Sequence, residues 1–152
     1  MLKANYLRAK FIQSGGEGAF TRLMNSPDEM GEVFSQIKIT LEENEEPLIW
    51  YHEEDRYLLV TNQRLIFQNR FTNNEQAIFD LTQLKGVNEV IQEQEVVSPP
   101  FRLTVFAITD FAGNRYLLKV EAHRAAFGGI YQLLYAAIKR NWVRLRKDGT
   151  VL

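Results

Sequence analysis

The sequence predicts a mostly antiparallel β domain, a sandwich or partly open barrel of about seven short strands, closed by one long C-terminal helix. Three observations predict it. From Pro47 onward apolar residues recur at every second position, the period of a strand with one buried face. Polar turn segments break these runs at hairpin spacing, as all-β folds require. Beyond residue 121 the apolar spacing lengthens to three and four, which is the period of a helix.

Residues 1–46 read differently, as helical and polar, and 1–40 form an N-terminal helical extension ahead of a single β unit at 41–152. A first helix around Tyr6, Leu7, Phe11 and Ile12 stops before Gly15-Gly16. A second starts at Ser26-Pro27-Asp28-Glu29, where Ser26 can cap, Pro27 suits the first helical position and Glu29 completes a capping box. Met30, Val33, Phe34 and Ile37 then form one apolar stripe, and the helix is expected to reach about residue 42. Ile37, Ile39 and Leu41 also alternate, as in a strand.

The expected strands are Leu48–His52, Arg56–Thr61, Arg64–Arg70, Glu75–Asp80, Val87–Gln92, Phe101–Thr109 and Arg115–Glu121. The pair around Asn62-Gln63 is the firmest hairpin, with β-branched and aromatic residues flanking a polar turn. Phe101, Leu103, Val105 and Ala107 share one face, and Asp110–Asn114 makes the last turn. The closing helix, about 122–144, carries Phe127, Ile130, Leu134, Ile138 and Trp142 along one stripe. Gly128-Gly129 interrupts it at about 1 kcal/mol per glycine, so either a close approach to the sheet or a kink is expected there.

Bulk properties restrict function. At 152 residues the chain fits one domain and buries roughly 70% of its unfolded surface. A net charge of −1 gives no overall field to recruit nucleic acid, so any anionic partner needs a local patch. The absence of cysteine excludes disulfides, thiolate catalysis and cysteine-based metal centres. No apolar run approaches the ~20 residues of a membrane span, and the N-terminus lacks the unbroken apolar centre of a signal peptide. A cytoplasmic location follows as the expectation, with a peripheral position on the inner face of the membrane as its alternative.

The stretch Arg56-Tyr57-Leu58-Leu59-Val60-Thr61-Asn62-Gln63-Arg64-Leu65-Ile66-Phe67, preceded by Glu45-Glu46-Pro47-Leu48-Ile49 and followed by Ile78–Val87, resembles the signature of bacterial pleckstrin-homology (PH-like or GRAM-like) domains. The closing helix with Phe127, Leu133 and Leu134 resembles that family's capping helix. The resemblance covers about 41–142. It implies two nearly orthogonal antiparallel sheets with one open end plugged by a helix, no catalysis, and no particular ligand.

Family members that bind phosphoinositides carry cations in the first hairpin loop. Here the loop reads His52-Glu53-Glu54-Asp55, with Arg56 its only cation, and its carboxylates would repel such a headgroup. Glu53, Glu54 and Asp55 are instead a candidate acidic interaction face, which Glu42, Glu43, Glu45 and Glu46 could extend. A metal site there is disfavoured, because adjacent strand residues point to opposite faces. The opposite pole is basic: Lys139, Arg140, Arg144, Arg146 and Lys147 surround Trp142, Val143 and Leu145. They suit a helix C-terminus, and form a candidate anionic-surface site.

Arg64, just after the hairpin turn, is expected to tie it to a carboxylate such as Asp80. Ser14-Gly15-Gly16-Glu17-Gly18 follows a helix and lacks a downstream Lys-Ser/Thr, so it reads as a connection rather than a phosphate loop. His52 and His123 show no triad pattern. No cofactor and no catalysis are expected. The expected role is a binding or scaffolding module that engages a protein partner or a second copy, with an outward group of strand aromatics as a contact surface; the alternative is weak docking on an anionic membrane surface.

Overall fold

The computed structural model describes residues 2–90 and 104–148. Among these residues eight strands form two antiparallel sheets, accompanied by three α-helices. The larger sheet is a meander of β1 (Thr21–Leu23), β2 (Pro47–Glu53), β3 (Arg56–Thr61), β4 (Arg64–Gln68) and β5 (Ala77–Asp80), in that spatial order. The smaller is β6 (Leu84–Glu89), β7 (Val105–Asp110) and β8 (Arg115–Lys119). Among the described residues no ladder joins the two sheets into a closed barrel. They meet through side chains, and the Asn69 amide crosses between them to the Leu117 carbonyl at 3.2 Å.

The period-two pattern produces this arrangement directly. Leu58 and Val60 on β3, and Leu65 and Phe67 on β4, point into the main core; Tyr57, Leu59 and Ile66 point the other way. Strands β2–β4 of the larger sheet are buried on both faces. Trp50 and Tyr57 therefore do not form an outward contact surface, because Met24, Met30, Val33 and Ile37 cover them. On β7 the described half of the predicted stripe, Val105 and Ala107, joins a small cluster with Val90, whereas Phe106 and Ile108 enter the main core. Phe101 and Leu103, and the end of the strand predicted at 87–92, lie outside the described residues.

The N-terminal region departs most from expectation. Its helix α1 (Ala4–Gln13) buries Leu7 and Phe11 in the main core, and ends where Gly15 and Gly16 take positive φ. Next comes β1, a strand in a stretch that reads as helical; three residues are too few to display a period. The capping box at Ser26 forms, with Glu29 accepting from the Ser26 and Asn25 backbone N–H groups. The helix it starts is short, a 3-10 turn at Pro27–Met30 and then α2 (Gly31–Gln36). Ile37 is extended, because Met30, Val33 and Ile37 already fill the groove over the sheet and the chain must turn away. Phe34, expected in that stripe, is half exposed.

The closing helix α3 (Arg124–Lys147) buries Phe127, Ile130, Leu134 and Ile138 as its spacing predicts, with Trp142 partly buried. Gly129 does mark a close approach, but to α1 and not to the sheet. A Cβ there would lie 2.7 Å from the Phe11 ring and 3.0 Å from the Phe11 carbonyl oxygen. Buried Asn141 donates to the Leu81 and Leu84 carbonyls at 3.0 and 2.9 Å, pinning α3 to the turn between the two sheets. No helix among the described residues is long and apolar enough to cross a membrane.

Candidate functional site

Arg140, Arg144 and Lys147 stand four and three residues apart on α3, so they share one face of the helix. The α1–α3 crossing lays the start of the chain against that face. A cleft of ≈ 350 Å³ results, with Leu2, Lys3 and Tyr6 on one wall, Arg140, Arg144 and Lys147 on the other, and Thr82 on the floor. Each arginine is held from one side. The Arg140 guanidinium lies over the Tyr6 ring at 4.4 Å, and Arg144 donates to the Thr82 carbonyl at 3.2 Å. Four cations face a single lining carboxylate, Asp148. The negative end of the α3 dipole sits here too, and offsets part of that charge.

The structure thus splits the basic cluster. Arg140, Arg144 and Lys147 converge, whereas Lys139 lies over the Tyr135 ring at 4.7 Å, and it shares with Arg146 the adjacent helix face beside half-exposed Val143. Lys3 is the member that sequence reasoning missed. It comes from the far end of the chain, and no local spacing signals it.

The acidic residues do not form one face. Glu42–Glu46 and Glu53–Asp55 lie at opposite ends of β2, roughly 20 Å apart at 3.3 Å per residue. Within the loop, Glu53 and Glu54 pair with Arg56 at 3.1 and 3.5 Å, and Glu54 adopts a left-handed conformation (φ 57°). Tyr51 donates to Glu53 at 2.8 Å and accepts from Arg56 at 2.9 Å. Burial raises the Tyr51 hydroxyl far above its usual range, against the pull of Arg56 and with the help of Glu53. His52 stacks on Trp50 (5.6 Å, 14°) and is not gathered with Glu53, Glu54 and Asp55; among the described residues no group of three histidines or carboxylates could hold a metal.

Arg64 and Asp80 face each other in the β4–β5 register, yet they do not pair. Asp80 accepts from the Thr82 backbone N–H and hydroxyl at 2.9 and 2.7 Å, capping the turn after β5. The partner of Arg64 is Glu45, held by two hydrogen bonds of 2.7 and 2.9 Å, while a third reaches the Thr40 carbonyl at 2.8 Å. The Glu45 side chain is fully buried. Burial alone would push its carboxyl up, but hydrogen bonds from Arg64, the Thr61 hydroxyl and the Glu42 backbone N–H outweigh it and hold the carboxyl below the usual carboxylate range. The bonds that Arg64 donates to Glu45 in turn raise Arg64.

Comparison with known proteins finds no relative: no family model, no curated protein and no solved structure matches the chain.

Proposed function

We propose that the chain is a non-catalytic binding module of PH-like architecture that docks on an anionic lipid surface through the basic cleft. The PH-like reading is supported by element order: a meander of β2–β5, a second of β6–β8, then α3, with α1, β1 and α2 as additions. The convergence of Lys3, Arg140, Arg144 and Lys147 on one cleft carries the ligand reading. Near an anionic surface each such cation contributes about 1 kcal/mol. The loop that would hold a phosphoinositide in related domains is occupied by Glu53, Glu54 and Asp55 and is not the docking point.

Co-sedimentation with vesicles tests this. Binding is expected with phosphatidylcholine vesicles containing phosphatidylserine and not with phosphatidylcholine alone, and it should fade as salt approaches about 1 M, where screening acts within ~3 Å. The R144E/K147E variant should lose at least tenfold in affinity, and more than K139E/R146E on the neighbouring face. Equal losses, or no preference for the anionic vesicles, would reject the cleft as the docking surface.

A second reading, self-association by strand addition, rests on β5. Among the described residues it is an edge strand, and its Ile78 is 55% exposed, the kind of edge that accepts another strand. Light scattering over a range of concentrations decides it: a dimer lost in Ile78→Lys supports strand addition, and a strict monomer ends it.

A further inference from the structure

A second cleft, of ≈ 390 Å³, opens beside β1 and is lined by Glu17, Phe20, Arg22, Glu32, Trp50 and His52. Arg22 and Trp50 are directly opposed in the β1–β2 register, which puts both side chains on the same face of the sheet. Each carries a buried donor with no acceptor among the described residues: the Trp50 indole Nε1–H and the Arg22 Nε–H. Trp50 as a whole is 2% exposed. Two unmatched donors on paired residues are costly, about 1–3 kcal/mol each, and buried polar groups ordinarily find partners. Both groups donate only, so what they lack is an oxygen acceptor.

The surroundings narrow the class. Arg22 pairs through Nη2 with Glu32 at 2.7 Å, which offsets its charge. Glu17 adds a second carboxylate, and its Oε2 accepts from the Leu23 backbone N–H. An anion would meet these two carboxylates; a hydroxyl could instead donate to them. The aromatic groups available to a ligand are His52, stacked on the buried Trp50 ring, and Phe20, which is 49% exposed. The edge of β1 is not open to an added strand. The Thr21 carbonyl accepts from Gly18, and Glu17 occupies the Leu23 N–H.

Donors for an oxygen, acceptors for hydroxyls and a ring face for C–H groups together define one chemistry. We propose that this cleft is a binding site for a neutral polyhydroxylated ligand, a saccharide ring, whose hydroxyl or carbonyl oxygen takes the Trp50 and Arg22 donors. The proposal is independent of the basic cleft.

The test is a proton–nitrogen NMR titration of the full chain carrying Trp142→Phe, which leaves Trp50 as its sole indole. The probes are N-acetylglucosamine and glucose, with sodium acetate as the anionic comparison. A saturable shift of the indole N–H signal and of the Arg22 Nε–H signal with at least one sugar is expected. Ligand-observed saturation transfer should then fall at least tenfold in Trp50→Phe, which keeps an aromatic ring and removes the N–H, and in Arg22→Leu. No saturable shift with either sugar, or an equal response in Trp50→Phe, overturns the proposal. A shift produced by acetate and not by the sugars also overturns it, in favour of an anion site.

Discussion

Thr61 shows how much one hydroxyl can organise. It accepts from the Gln63 and Arg64 backbone N–H groups at 3.0 and 2.8 Å, shaping the β3–β4 turn, and donates to Glu45 at 2.6 Å. Next to it, Asn62 accepts from the Glu46 N–H at 2.8 Å and donates to the Leu2 and Asn44 carbonyls. The Thr-Asn-Gln-Arg turn thus gathers the segment before β2 and the start of the chain. Removing Glu45 strands Arg64 and Thr61, and Glu45→Ala should cost about 3 kcal/mol in urea unfolding. Acid should act through the same carboxyl. Its folded pKa lies below the ordinary 4.5, so its stabilisation is complete above that pH. As pH falls, the unfolded chain binds the proton first, and stability drains away until the folded group is protonated too. Urea midpoints measured from neutral pH to about 3 should fall less steeply for Glu45→Gln than for the parent chain. A residue-by-residue reading finds Arg64 but not this partner. Strand pairing brings Asp80 nearest to it in register, whereas Glu45 arrives through a fold-back of the chain that no spacing encodes.

At the level of elements, the pair Gly128-Gly129 makes opposite predictions for adjacent residues. Gly128→Ala meets nothing closer than the Ser14 carbonyl oxygen at 3.8 Å, so it should stabilise by up to about 1 kcal/mol through helix propensity. Gly129→Ala must displace Phe11, ring and backbone together, and should lower the melting temperature despite the same propensity gain. The helix itself was legible, because its stripe is long and regular. So were β2, β3 and β4, whose period of two is sustained and whose turns are polar. The helical start at Pro27, ahead of α2, was legible from a capping box confined to four residues, while the end of α2 was not. Ile37, Ile39 and Leu41 all pack against the cluster around Trp50, and that shared destination, not helical phase, sets their spacing.

For the whole molecule, the two candidate clefts differ in how far sequence could reach them. Three cations of the basic cleft lie on one helix and could be grouped by their i, i+4 and i+7 spacing, but Lys3 joins only because α1 crosses α3. The Trp50 cleft has no sequence signal, since Arg22 meets Trp50 through a strand pair that is itself invisible in the pattern. Both clefts depend on the N-terminal segment being fixed in place. Arg8 helps, donating to the Met24 and Pro47 carbonyls at 2.8 Å each. Buried Glu121 does so from the other end, accepting from the Ala19 N–H at 3.0 Å and from the Phe20 N–H. Phe11→Ala should therefore cost 3–5 kcal/mol, in the range of large core truncations, and protease cleavage should concentrate before residue 25 in that variant.

The lodging of α1 between α3 and the core has a consequence for biosynthesis. α1 leaves the ribosome before its seat exists, because part of the groove that receives Leu7 and Phe11 is made by α3 residues translated over a hundred codons later. Until then those side chains stay in water, and such long-range closure is slow compared with hairpin formation. A ribosome-stalled chain ending before residue 124 should leave residues 4–13 open to protease, and a chain extended through α3 should protect them.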